Sequence, residues 1–278
     1  MHELNILLKI EFRRAFKNKL FAASIVIGLA LAAGAFIQTV VPHIDVLGGY
    51  DGSVASYPHS VFTSWMGIGI GYDIWATVYL YVCILLAALP YCSTFVKDNN
   101  SQYILQYYSR ISKNRLHIAK FITTFVVGGL IVVIPLLVNL IATMMFVPAL
   151  KPIENGLFMG NGSSFMNVLF VRHTFIYTIV YILQYFIYGG AFSVIALAAS
   201  YIFSNSFLVM LTPFVVFYGL GVVSNMLRNM FGMDSFMRLL ASNMLSDKQL
   251  AAYILEPVII TVISGIIFFV KGADNEAL

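Results

Sequence analysis

Six apolar stretches, each about long enough to cross a bilayer, punctuate this chain: roughly Leu20–Val41, Ile74–Val96, Phe121–Val147, Thr174–Ile202, Phe207–Met226 and Pro257–Val270. About 20 apolar residues in a helix span the hydrocarbon core. The sixth stretch is short as written and reads as beginning near Ala251, which puts Glu256 either close to a surface or buried in protein. The fold class expected is therefore an all-α membrane protein, a single transmembrane domain over 1–278 with spans at about 20–41, 74–96, 121–147, 174–202, 207–226 and 251–270. Composition agrees: the chain is 60% hydrophobic and only 10% charged, with a mean hydropathy of +0.88, against about 45–50% apolar and about 25% charged in soluble domains. Basic residues precede the first span and Ala32, Ala33 and Ala35 lie within it, but the run is too long for a cleaved signal sequence, so an uncleaved helix is expected.

Lys and Arg in short loops set the orientation. With the N-terminus inside, eleven of the sixteen fall inside and five outside (Lys151, Arg172, Arg228, Arg238, Lys248). Both termini are accordingly expected in the cytoplasm. The pI near 9.0 reports this bias, and no nucleic-acid partner is read from it.

The one sizeable polar island is Lys97–Lys120, KDNNSQYILQYYSRISKNRLHIAK. It holds five Lys and Arg residues (Lys97, Arg110, Lys113, Arg115, Lys120) against one acid, Asp98. Asn99, Asn100 and Ser101 offer helix N-caps. Tyr103, Ile104, Tyr107 and Tyr108 then supply one to two turns with aromatic bulk, Ser109 to Asn114 breaks that helix, and Arg115–Lys120 leads into the third span. Aromatic anchors beside Arg make a plausible docking patch; the bland alternative is a solvated basic loop.

Residues 2–19 form a separate amphipathic piece. Leu4, Leu8, Phe12 and Phe16 repeat on one face, and Lys9, Arg13 and Lys17 on another with Arg14 beside them. Such a helix suits the membrane interface, either as a plain positive-inside anchor or as a grip for a partner.

The outer loops carry less information. Loop 42–73 contains His43, Asp45, Asp51, His59 and Asp73, in no spacing that makes a metal site. Its Gly67, Gly69 and Gly71 lack the spacing of a dinucleotide fingerprint. Loop 148–173, with Pro148, Pro152, Gly156, Gly160 and Gly162, reads as turn-rich. Ser204-Asn205 makes a tight inner turn between spans four and five. Residues 227–250 read as short helices dipping toward the outer leaflet, with Asp234 and Asp247 as candidate caps. Cys83 and Cys92, nine residues apart in one expected helix, are too distant to bridge.

Absences bear on the energy source. No ionisable residue is expected well inside a span, which disfavours a proton-coupled carrier. The sequence has no G-x-x-x-x-G-K-[ST] phosphate loop, no H-E-x-x-H and no G-x-S-x-G. No catalytic, cofactor or metal residue is assigned, and the chain is not expected to be an enzyme.

In Asp98, the Tyr103–Tyr108 helix, Ser109-Arg110 and the closing Lys120, the chain resembles the membrane subunits of type-2 ATP-binding-cassette (ABC) exporters. Those permeases have six spans with both ends inside, an interfacial helix before the first span, a cytoplasmic coupling helix between spans two and three, and short re-entrant helices between spans five and six. Two parts of the pattern are missing: no Gly follows Asp98 and no Pro precedes Ser109-Arg110. The resemblance implies a multi-pass permease in a bacterial cell membrane, paired with a second permease, identical or homologous, and with two nucleotide-binding ATPase subunits that hold ATP and Mg. Docking then falls to Asp98, Tyr103, Ile104, Tyr107, Tyr108, Arg110 and Lys113, with Lys9, Arg13, Arg14 and Lys17 on the interfacial helix. Polar span residues are candidates to line a pathway: Gln38, Thr39, Thr77, Asn139, Thr143, Gln184, Asn205, Thr212 and Asn225. A pathway without charges fits an apolar or amphipathic substrate, such as a peptide, lipid or drug. The alternatives are a non-transport membrane protein, such as an immunity or sensor scaffold protein, and an integral membrane enzyme or ion-coupled carrier.

Overall fold

Apolar side chains all round a segment leave a helix free to bury one face and offer the other to lipid, and the outward faces here do so. The structure, a computed structural model, describes residues 2–43, 60–67, 73–90, 92–101, 112–150, 167–231 and 250–274. Its helices are α1 (His2–Phe16), α2 (Lys19–Thr39), α3 (Val61–Ser64), α4 (Ile74–Ala88), α5 (Cys92–Asn100), α6 (Lys113–Phe146), α7 (Asn167–Arg172), α8 (Thr174–Ala199), α9 (Ser206–Phe231) and α10 (Leu250–Asp274), with a 3-10 turn at Val41–His43. Among the described residues there is no strand. Four helices among the described residues are, by length and composition, long and apolar enough to cross a membrane: α2, α6, α8 and Leu255–Gly272 of α10; Ile74–Ala88 and Ser206–Gly219 are shorter apolar helices. Val26, Ile37, Ile141, Met145, Phe175, Ile179, Val262 and Ile266 are exposed on these helices, as a membrane protein requires.

The hub is α8, which packs against α4, α6, α9 and α10. From Gly189 to Ser200 every residue is buried. Its inward face carries Tyr177, Tyr181, Tyr185 and Tyr188, about one helical turn apart. Successive rings of the first three lie 6.1 and 5.2 Å apart. The phenols reach partners across the core: Tyr181 donates to Gly67 O at 2.6 Å, and Trp65 packs edge-on to its ring at 5.9 Å.

The closest helix pair is α6 with α8. A Cβ on Gly189 would lie 2.8 Å from Val132 Cγ2 and 3.0 Å from Gly128 O, and one on Gly128 would collide with Ser193. Small residues that let backbones approach are how helices pack in lipid, where no hydrophobic drive brings them together. The Ser193 hydroxyl completes the contact at 2.9 Å from Thr124 O and 2.8 Å from Gly190 O.

The expected spans differ from this in three places. The second is not one helix over 74–96. It stops at Ala88, and α5 starts again at Cys92, because Pro90 has no N–H to donate and its ring crowds the preceding turn. Cys83 and Cys92 therefore stand on separate helices; Cys83 is free and buried. The third span begins eight residues early, at Lys113 rather than Phe121. Between spans five and six, 227–231 belong to the end of α9, and 232–249 lie outside the described residues.

Gly189→Ala should cost about 1–3 kcal/mol by overpacking and lower the midpoint of thermal unfolding in detergent. Gly219→Ala is the control, since nothing lies within 4 Å of its added Cβ and alanine favours a helix. Equal midpoints for the two variants would remove the α6–α8 contact as a stability determinant.

Candidate functional site

Four charged side chains meet where α1, α5 and α6 converge. On α1 the buried face is Leu7, Glu11 and Ala15, at 1%, 0% and 0% exposure. This is not the Leu4–Leu8–Phe12–Phe16 stripe: Leu4, Leu8 and Phe12 are half-buried at its flank and Phe16 is exposed. The helix docks on α6, and α6 determines which face is covered. Lys9, Arg13 and Lys17 remain exposed, whereas Arg14 turns inward.

Asp98, near the end of α5, is the centre of the group. Arg14 grips it with both ends of its guanidinium, Nη2 to Oδ1 at 2.8 Å and Nη1 to Oδ2 at 3.1 Å. Lys120, in the third turn of α6, donates to Oδ2 at 2.8 Å. Glu11 completes the set, its Oε1 3.5 Å from Arg14 Nη1 and 3.7 Å from Lys120 Nζ. Two acids face two bases, so the group is neutral overall. Lys120 is only 1% exposed, and its ammonium also lies 5.6 Å from the centre of the Phe95 ring, a cation–π contact. Glu11 Oε2 is buried without a hydrogen bond. Burial pushes the Asp98 carboxyl up, but the hydrogen bonds and charges of Arg14 and Lys120 outweigh it and hold the group below the ordinary carboxylate range.

Neighbouring contacts brace the cluster. Asn18 accepts from Leu20 N at 3.0 Å, capping α2, and its amide donates to the Pro90 carbonyl at the α4–α5 break. Arg115 pairs with Glu3 on the surface. His117 contacts Lys113 O through Nδ1 at 2.8 Å and the Tyr201 hydroxyl through Nε2 at 2.6 Å. A carbonyl only accepts, so Nδ1 carries the proton. Phe268 of α10 closes against the His117 and Phe95 rings at 5.2 and 5.5 Å.

The polar island is therefore not one free segment. Asn99 and Asn100 belong to the end of α5, Ser101 follows in an exposed turn, and Lys113 opens α6 half-buried; the helix they are expected to cap falls on residues outside those described. Tyr103, Ile104, Tyr107, Tyr108 and Arg110 lie outside the described residues. Asp98 is enclosed, with both carboxylate oxygens occupied by Arg14 and Lys120.

The polar span residues do not form one file. Asn139 ties three elements, donating to Ala32 O at 2.9 Å and accepting from Met66 N at 2.8 Å. Thr143 donates to Asn139 O, Thr77 to Asp73 O and Thr212 to Leu208 O, each at 2.8 Å within its own turn. Thr39 donates to Ala35 O at 2.8 Å and Ser64 O at 3.2 Å. Asn205 caps α9 at Phe207 N, Gln38 is exposed, Gln184 Nε2 is buried and unpartnered, and the Asn225 side chain lies outside the described residues. Glu256, expected close to a surface or buried in protein, is half-buried at the second residue of the apolar Leu255–Gly272 segment of α10, where it meets Tyr188 from the middle of α8.

Sequence reasoning passed over Glu11, Asn18, His117 and Tyr201. Glu11 had a signal, lying four residues from both Leu7 and Ala15. Among the described residues no group of three or more His, Cys, Asp and Glu side chains is placed to hold a metal. Compared with family models, with curated proteins and with solved structures, the chain finds no match.

Asp98→Asn leaves the buried Lys120 and the part-exposed Arg14 facing one acid and should destabilise the fold by up to about 3 kcal/mol, the low end of the cost of breaking a buried pair because Arg14 keeps access to water. Because the folded Asp98 titrates below its ordinary value of 3.8, its stabilisation is complete above that value and fades as pH falls through the lowered one. Thermal midpoints followed from pH 7 to acid should drop at the acid end in the native chain, and less in Asp98→Asn.

Proposed function

We propose that this chain is the permease subunit of an ABC exporter, with six spans, both termini in the cytoplasm and ATP hydrolysed by a separate subunit. The observation that carries the reading is the anchoring of the basic segment. Residues 102–111 are bounded by α5 and α6, and the Arg14–Asp98–Lys120 contacts tie both of those helices to α1. A push delivered to that segment reaches the helix bundle through short, desolvated ion pairs rather than through a slack loop. This is what a subunit driven from outside needs, and the sequence holds no phosphate loop of its own. The exported substrate is apolar or amphipathic, a peptide, lipid or drug. The functional unit is two permeases, identical or homologous, with two ATPase subunits in a bacterial cell membrane.

The test is copurification with a phosphate-loop ATPase encoded beside this reading frame. Reversing both charges, Arg110→Glu with Lys113→Glu, should cut ATPase association at least tenfold, or leave hydrolysis running without transport. Unchanged association and unchanged substrate-stimulated turnover would place docking elsewhere. A second reading, an ion-coupled carrier, draws on Glu256; it requires transport that persists without ATP and collapses with the pH gradient.

A further inference from the structure

Within the four membrane-length helices, Glu256 is the one carboxylate among the described residues apart from Asp274 at the very end of α10. Its Oε2 accepts a hydrogen bond from the Tyr188 hydroxyl at 3.1 Å. Tyr188 stands midway along Thr174–Ala199, a helix whose outward residues Phe175, Ile176, Ile179 and Leu183 are apolar and exposed. The carboxylate is thus held at about the mid-depth of α8.

Its surroundings differ from those of Asp98 and Glu11. Among the described residues Glu256 makes no ion pair. It is half-buried, and Leu255, Val258 and Ile259 beside it on α10 are exposed and apolar. One turn along the inward face of α8, Gln184 is 9% exposed with its Nε2 unpartnered. Behind Tyr188 lies a narrow apolar void lined by Cys83, Val132, Tyr185, Gly189 and Phe192. An acidic group at membrane depth is costly and marks a pathway or a site whose counter-charge comes from elsewhere.

We propose that Glu256 and Tyr188 form a subsite for the protonated amine of a membrane-partitioned amphiphile. The carboxylate supplies the counter-charge, and the Tyr188 hydroxyl holds the carboxylate in place. The exposed aliphatic side chains of α10 take the tail. This rests on the exporter reading and narrows its substrate to cationic amphiphiles, including peptides with basic residues, rather than uncharged lipids.

Equilibrium dialysis of radiolabelled dodecylamine against the full chain in phosphatidylcholine nanodiscs tests it, with empty discs as the partition baseline. Saturable binding is expected for the native chain. Glu256→Gln keeps size and can keep the Tyr188 hydrogen bond, and it should lose at least tenfold in affinity, whereas Glu256→Asp should retain part of it. A native-chain arm needs no variant: dodecylamine should bind at least tenfold tighter than its N-acetyl derivative. Equal binding of those two, no saturable amine binding, or unchanged affinity in a folded Glu256→Gln would each overturn the proposal. No ATPase takes part, so failure here leaves the exporter reading standing, and failure of ATPase copurification leaves this result standing.

Discussion

A desolvated carboxylate cannot stand alone, and the order of one whole end of this bundle follows from how Asp98 is satisfied. Its two oxygens take a guanidinium from 84 residues earlier and an ammonium from 22 residues later. Removing either cation strands the Asp98 carboxylate, and removing Asp98 strands Lys120, where little water reaches, so the contact of α1, α5 and α6 is tightly specified there. The smaller contacts depend on that arrangement. Asn18 can reach Pro90 only because α1 ends beside the α4–α5 break. His117 can meet Tyr201 and Phe268 only because the first turns of α6 are pinned against the bundle. Glu11 balances the charge from the opposite side, one of its oxygens near both cations and the other without a partner.

Hydropathy is a sum over neighbours in sequence, and it reads well wherever a helix is apolar all round. The limits of α2 and α8 fall within about three residues of what composition alone suggests. It fails where a helix is half polar. Lys113–Lys120 counts as a loop by charge, yet Leu116, Ala119 and Lys120 are buried on one side of a continuous helix. It fails again at Pro90. Pro135, Pro213 and Pro257 sit inside helices that continue, so proline alone does not foretell a break. At Pro90 the break is also tied across the fold, its carbonyl taking an amide 72 residues away, and no local pattern reveals that.

The site was legible to the same partial degree. The sequence marked the segment that holds Asp98 and Lys120, because a basic island between apolar runs is conspicuous. It could not show that the acid in that island faces inward, since a charged residue looks the same in a string whether water or Arg14 surrounds it. On α1 the helical periodicity was legible, and the residues the bundle covers were not. Two stripes offset by one residue, Leu4–Leu8–Phe12 and Leu7–Glu11–Ala15, both fit a helix, and only Lys120 on the neighbouring helix explains why the stripe containing an acid is the buried one. The tyrosines of α8 repeat at helical spacing and were open to the same reading as a buried ridge.

The glycine contact between α6 and α8 has a mechanical meaning. Where Gly128 meets Gly189 only Val132 and the small Ser193 side chain stand between the backbones, so little there can compress or re-pack, and the pair is the keel of the bundle. The other helices are fastened along it: α2 against α6, α4 against both, α9 and α10 around α8. A helix of 34 residues is about 51 Å long, well beyond the roughly 30 Å hydrocarbon core. The excess length begins with the turns that carry His117 and Lys120, so the ion pairs hold this helix by its polar first turns rather than by its apolar body.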